Sequence, residues 1–290
     1  MPKNIIRVAA IQMNCVPGKV DHNLTHAKKF IVQAIEKGAK LVLLPELMPS
    51  GYMVTEEIWD FAETINGKSA KWLRTTARHF GIYIGFSFLE AEGEDFYNSF
   101  VLADPEGRLQ GRVRKNPPAS IDVYFYKADT DHHVIETELA RIGVGICYEN
   151  LLYEQVCFLH RESVDLVLFP AAAGRPRPFI PGDIRRFDSM LVNARAVFAS
   201  TLGVPVVMAN RVGRLGTELP GHLPFLKSKF PGLSSIVDAD GTVKAELGDE
   251  EGVIVADVHL EKNRQRKKHT KEIRETVAQF LCPGMRSFGR

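Results

Sequence analysis

Hydrophobic positions along the chain fall alternately into short continuous runs and helical stripes. Leu41-Val42-Leu43-Leu44 is four apolar residues in a row, opened by Gly38 and closed by Pro45, which predicts a strand buried on both faces. Leu166 to Phe169, closed by Pro170, has the same form. Ile82 to Leu89, with Gly85 inside it, Val204 to Ala209 and Val253 to Val258 read as further strands. Alternation from Val101 to Val113 predicts strands that end at Lys115, ahead of the stop Asn116-Pro117-Pro118. Between these runs lie helical patterns. Asn23 to Ile35 carries Ala27, Phe30, Ile31 and Ala34 at helical spacing, with Asp21 or Asn23 as N-cap. Ser69 to Phe80 predicts a second helix, with Trp72 and Leu73 inward. Phe187 to Ala199 predicts a third, with Met190, Leu191, Ala194, Val197 and Phe198 along one side. Arg214 to Gly232, which holds Pro220, Gly221, Pro224 and Pro231, reads as a loop over one end of the sheets. No repeat and no Pro-, Gly- or Ser-rich linker divides the chain, so a single domain over residues 1–290 is expected. Alternating strands and helices predict an α/β fold with helix-covered sheets. Periodicity alone does not separate a doubly wound sheet from a sandwich of two sheets.

Composition narrows the function classes. A chain of 290 residues can bury roughly three quarters of its unfolded surface, enough for one sizeable core. With 45% hydrophobic and 25% charged residues it is an ordinary globular sequence. The net charge of +2 points neither to nucleic acid nor to a membrane surface. No run of about 18 apolar residues could span a bilayer. The start, Met1-Pro2-Lys3-Asn4-Ile5, runs into a strand without the apolar region of a signal peptide, so a cytoplasmic protein with reduced thiols is expected. The four cysteines, Cys15, Cys147, Cys157 and Cys282, lack the spacing of a zinc site, and the histidines lack ligand spacing. No metal and no organic cofactor is expected. The basic run Lys262 to Lys268 reads as the start of a solvated tail.

Three strand ends carry candidate chemistry. Cys147 stands where the apolar, Gly-punctuated run Ile142-Gly143-Val144-Gly145-Ile146 gives way to a turn. Leu151, Leu152, Val156, Cys157 and Leu159 follow at helical spacing. A thiol there gains thiolate character and a partial oxyanion site from the next backbone N–H groups, in the manner of a nucleophile elbow. The alternative is a buried structural cysteine. Glu46 stands at the carboxyl end of the Leu41 strand, where open α/β sheets bind ligands. Apolar neighbours would raise its pKa and suit it to general-base work, the alternative being a solvated loop glutamate. Lys115 ends its strand and could hold a developing oxyanion, the alternative being a surface lysine. Arg175 and Arg177, among prolines in Gly174 to Arg186, could clamp a substrate carboxylate or lie in solvent.

The order Glu46, Lys115, Cys147 resembles the Glu–Lys–Cys set of the nitrilase superfamily, the carbon–nitrogen hydrolases. The matching motifs are Leu44-Pro45-Glu46-Leu47 with Gly51-Tyr52 behind it, Gly111-Arg112-Val113-Arg114-Lys115, and Gly143-Val144-Gly145-Ile146-Cys147-Tyr148-Glu149. Asp165-Leu166-Val167-Leu168-Phe169-Pro170-Ala171, Asn210-Arg211-Val212-Gly213 and Ser234-Ser235-Ile236-Val237-Asp238 resemble later parts of that family. The resemblance implies a four-layer α-β-β-α sandwich of two mixed sheets covered by helices. It implies Glu46 as base, Lys115 and the Tyr148 N–H as oxyanion donors, and Cys147 as nucleophile. Tyr52 and Glu149 become candidate substrate contacts. The family's second glutamate after the lysine is missing; Asp122 could replace it, or Glu136 or Glu138 could swing in. The implied activity is hydrolysis of a non-peptide C–N bond in a small amide or N-carbamoyl compound through a cysteine thioester. Nitrile hydrolysis, acyl transfer to an amine and a non-catalytic interaction protein are the alternatives. The implied assembly is a homodimer or higher homo-oligomer, with residues 262–290, including Thr276 to Leu281, at the interface.

Overall fold

The structure is a computed structural model that describes residues 4–130, 132–175, 181–217 and 226–260. The tail from Lys262 onward, with its basic run and its implied interface segment, lies outside the described residues. Among them, fourteen strands and four α-helices alternate. The strands are β1 (Asn4–Gln12), β2 (Leu41–Leu43), β3 (Tyr83–Glu92), β4 (Asp95–Ala103), β5 (Leu109–Arg114), β6 (Val134–Glu136), β7 (Arg141–Val144), β8 (Leu166–Ala171), β9 (Val206–Asn210), β10 (Val212–Thr217), β11 (Leu226–Pro231), β12 (Ser235–Val237), β13 (Val243–Glu246) and β14 (Gly252–Leu260). The helices are α1 (Val20–Glu36), α2 (Lys68–Phe80), α3 (Tyr153–Glu162) and α4 (Pro181–Leu202).

Twelve of the strands form two six-stranded sheets, ordered β14-β1-β2-β3-β4-β5 and β13-β12-β9-β8-β7-β6. Each holds a parallel centre, β1-β2-β3 in one and β7-β8-β9 in the other, with antiparallel flanks, so both sheets are mixed. Side-chain alternation along the central strands builds the layers. Ile6, Val8 and Ala10 of β1 join Leu41 and Leu43 of β2 against Ile142, Val144, Leu166, Leu168 and Val207 of the other sheet. The alternate residues Ala9, Ile11 and Val42 face Leu24, Ile31 and Leu73 of α1 and α2. Val167, Phe169 and Val206 face Leu159, Val197 and Phe198 of α3 and α4. Helices, sheet, sheet and helices therefore stack in four layers, the α-β-β-α sandwich. β2 is apolar throughout because both its faces are covered, and each such buried side chain contributes about 1.5–3 kcal/mol. Among the described residues, no helix is long and apolar enough to cross a membrane.

Three local expectations change. α1 begins at Val20, three residues before Asn23, and Asn23 does not cap it. The buried Asn23 amide instead donates to the carbonyls of Val16 and Pro49, both at 2.8 Å, and accepts from the Val16 N–H at 2.9 Å, tying together the loops after β1 and β2. α4 starts earlier than its apolar stripe, at Pro181, whose fixed φ and missing N–H suit a first helical turn. Much of Arg214 to Gly232 is not loop: β10 and β11 pair antiparallel from Val212–Pro231 to Thr217–Leu226. Residues 218–225 lie outside the described set.

Candidate active site

Three strand ends deliver their side chains to one place. Glu46 follows β2 and is fully buried, with its N–H donating to the Ala171 carbonyl at the end of β8 (3.3 Å). Lys115 follows β5, its N–H donates to the Asn98 carbonyl of β4 (2.9 Å), and its side chain is 1% exposed. Cys147 begins a short 3-10 turn, Cys147–Leu151, beyond β7, and α3 follows that turn. The helix read directly after the nucleophile is thus two pieces.

The groups converge on the Glu46 carboxylate. Oε1 accepts from Lys115 Nζ (2.7 Å) and Asn98 Nδ2 (2.8 Å), and Oε2 accepts from the Ala172 N–H (2.8 Å). The Cys147 thiol adjoins the same carboxylate and the same Ala172 N–H. Lys115 Nζ also donates to Asp122 Oδ2 (2.9 Å), and Tyr52 Oη donates to Asp122 Oδ1 (2.6 Å). The shorter carboxylate therefore reaches the lysine. Glu136 is exposed on β6 and paired with Arg141, and Glu138 is exposed, so neither joins the cluster.

Backbone strain is concentrated here. Among the described residues, five non-glycine residues have positive φ, and three of them flank the cluster: Leu47 (48°) after Glu46, Ser120 (43°) before Asp122, and Cys147 itself (54°). Such conformations cost about 1 kcal/mol or more each and persist only where the surroundings hold them. At Cys147 the left-handed backbone turns the thiol out of the strand path. Gly145 permits the turn, because a Cβ there would collide with the Asn150 amide oxygen.

The electrostatics revise one expectation. The elbow position suggests a thiolate, yet burial and the adjacent Glu46 charge push the Cys147 pKa well above the ordinary thiol value, and Lys115 offsets this only in part. The resting group is a thiol. Burial opposes the charge on Lys115, but Asp122 and Glu46 outweigh it and keep the ammonium protonated. Glu46→Gln keeps the shape and removes the negative charge beside the sulfur. Alkylation of the Cys147 peptide followed against pH is expected to show its midpoint at lower pH in that variant. A midpoint that stays or rises would contradict the electrostatic account.

Other expected contacts turn out to be structural. Glu149 is fully buried; Oε1 accepts from the Asn116 N–H (2.5 Å) and His133 Nε2 (2.7 Å), and Oε2 from the Ile146 N–H (2.5 Å). It braces the residue after Lys115 against the residue before Cys147 rather than facing a ligand. The Arg175 guanidinium is bound to Asp188 through Nε (2.9 Å) and Nη2 (2.6 Å), which removes the ground for a carboxylate clamp there. Arg177 lies outside the described residues. Tyr148 points a 39% exposed side chain outward, while its N–H sits in the first turn, where no intrahelical acceptor exists. The sequence did not point to Asn98 or the Ala172 N–H, both of which bond the Glu46 carboxylate. Asn98 carried a signal, since it shares the strand face of the core residues Phe100 and Leu102. Among the described residues, no group of three or more His, Cys, Asp or Glu could hold a metal.

Comparison with known proteins fits this geometry to a family. The carbon-nitrogen hydrolase family model matches residues 7–268. A nitrilase of Pyrococcus abyssi is 30% identical over 268 residues, covering 90% of this chain and 93% of its own. An omega-amidase of Xenopus tropicalis is 31% identical over 281 residues, covering 93% and 92%. The crystal structure of a carbon-nitrogen hydrolase from Helicobacter pylori G27 superposes with a TM-score of 0.80 at 21% identity, covering 98% of this chain and 95% of that one, which shows a shared fold. With the family pattern running through nearly the whole sequence and the sandwich common to both folds, this chain belongs to the carbon-nitrogen hydrolase family of the nitrilase superfamily.

Proposed function

We propose that the protein hydrolyses the C–N bond of a small amide or N-carbamoyl compound, with Cys147 as nucleophile, Glu46 as general acid and base, and Lys115 as oxyanion donor. The observation that carries this reading is one cluster in which the buried Glu46 carboxylate and Lys115 ammonium are hydrogen-bonded and the half-buried Cys147 thiol lies beside them. Because the thiol is protonated at rest, its proton passes to Glu46 as sulfur bonds to the carbonyl carbon. Negative charge then develops on the substrate oxygen, where Lys115 and the Tyr148 N–H can receive it. Glu46 returns the proton to the departing nitrogen, the C–N bond breaks, and an acyl thioester remains on Cys147. Water, deprotonated by Glu46, attacks the thioester carbon, and the thiol leaves with that proton. Asp122 keeps Lys115 charged and fixed throughout, and Tyr52 holds Asp122.

The tyrosine after the nucleophile, where nitrilases of this family usually carry tryptophan, favours amides over nitriles, and the similar proteins include an omega-amidase and an N-carbamoylputrescine amidase beside the nitrilase. Ammonia release across a panel of nitriles, ω-amides and N-carbamoyl amino acids tests this. Hydrolysis of amides or carbamoyl compounds is expected, and turnover of nitriles alone would contradict it.

A further inference from the structure

Tyr126 follows the short turn that carries Asp122, and its N–H donates to the Asp122 carbonyl (3.0 Å). Tyr126 belongs to one apolar cluster with Leu47, Met53, Phe125, Ala172 and Phe230, and two of these, Leu47 and Ala172, adjoin Glu46 in the chain or through a hydrogen bond. The side chain is buried, and its hydroxyl finds no hydrogen-bond partner among the described residues. That is an unusual use of a phenol. Phenylalanine would supply the same packing without the penalty of an enclosed, unsatisfied O–H.

Its surroundings say what the group is for. Tyr126 lies in the field of Asp122, Lys115 and Glu46, and beside Tyr52. Burial and the two carboxylates hold its pKa well above the ordinary phenol value, so it is a neutral donor. The Asp122 and Glu46 oxygens are already engaged, by Tyr52 and Lys115 on one and by Lys115, Asn98 and Ala172 on the other. Tyr52 donates its O–H hydrogen bond to Asp122, whereas the Tyr126 O–H has no acceptor among the described residues.

We propose that Tyr126 Oη–H is a substrate-contacting hydrogen-bond donor, serving a carbonyl oxygen of the amide that lies beside Lys115. The inference rests on the active-site reading above and adds a residue to it. A hydroxyl kept unsatisfied in the resting protein is then a cost met when substrate arrives.

Tyr126→Phe deletes only the oxygen. The test compares alkylation of Cys147 by 2-chloroacetamide, which carries an amide, with its modification by methyl methanethiosulfonate, which does not. In Tyr126→Phe the second-order rate with chloroacetamide is expected to fall about tenfold, the worth of one neutral hydrogen bond. The rate with methanethiosulfonate is expected to stay within about twofold, as only the amide contact is lost, and the melting temperature is expected to hold or rise. Equal changes with both reagents, no change with either, or a lower melting temperature would overturn the proposal, since a hydroxyl serving the fold alone behaves in those ways. These readings do not depend on turnover. Failure of wild-type protein to hydrolyse any amide would count against the active-site reading, whereas an unchanged reagent preference in Tyr126→Phe counts against this inference alone.

Discussion

Cys147→Ala is expected to remove turnover, by on the order of 10^5-fold or more, while leaving the protein folded. A covalent mechanism has no second route once its nucleophile is gone, and residual rate comes only from binding and charge stabilisation. Cys147→Ser is expected to lose at least about 10^3-fold, because an alcohol is harder to deprotonate than a thiol and is a weaker nucleophile. The backbone at this position gives an independent handle. Cys147 sits at φ 54°, which alanine shares as strain and glycine does not. Cys147→Gly should therefore melt higher than Cys147→Ala, by about 1 kcal/mol of stability. Steady-state assays with ammonia detection and thermal unfolding of the three variants measure both effects. Turnover near the wild-type level in the alanine or serine variant would be incompatible with a thioester.

Lys115→Met is the second large effect, and it strikes activity and stability together. The side chain is 1% exposed and bonds two carboxylates that are themselves buried. Removing the cation leaves Glu46 and Asp122 as like charges in a dry site, and breaking a buried pair by deleting one partner costs about 3–5 kcal/mol. The rate should fall by at least about 10^2- to 10^3-fold for the lost oxyanion donor. Adding Asp122→Asn to Lys115→Met removes one of the stranded charges. The double variant should then be more stable than the sum of the single changes, with a coupling of about 0.5–3 kcal/mol. Activity should not return, since Asp122 only holds the lysine. Denaturant unfolding of the four proteins measures the coupling, and strict additivity would show that the three groups do not share charge as the geometry implies.

What could be read from the chain in advance depended on whether the cause was local. β2 announces itself because a strand covered on both faces has no polar position, and Leu41 to Leu44 shows none. Glu46, Lys115 and Cys147 each follow a strand, apolar before Glu46 and Cys147 and alternating before Lys115, so their places were legible from the strand patterns and their punctuation by proline and glycine. The pairing of two sheets was not, because alternating strands and helices serve a doubly wound fold equally well; the resemblance supplied it. Asn23 looked like a helix cap, since a short polar side chain near a helix start has the same local signature whether it bonds its own helix or a loop 26 residues away. Glu149 and Arg175 resembled ligand contacts because their partners, Asn116, His133 and Asp188, are brought in by tertiary structure. The protonation of Cys147 has the same origin: the elbow favours thiolate locally, but burial, together with a carboxylate 101 positions earlier in the chain, reverses the balance.

Rapid acid quenching of the protein during turnover of an amide, followed by peptide-resolved mass spectrometry, tests the central assignment most directly. The account predicts the acyl group of the substrate on the peptide carrying Cys147, removable by hydroxylamine as a thioester is. The acyl group on Cys15, Cys157 or any other residue would contradict it.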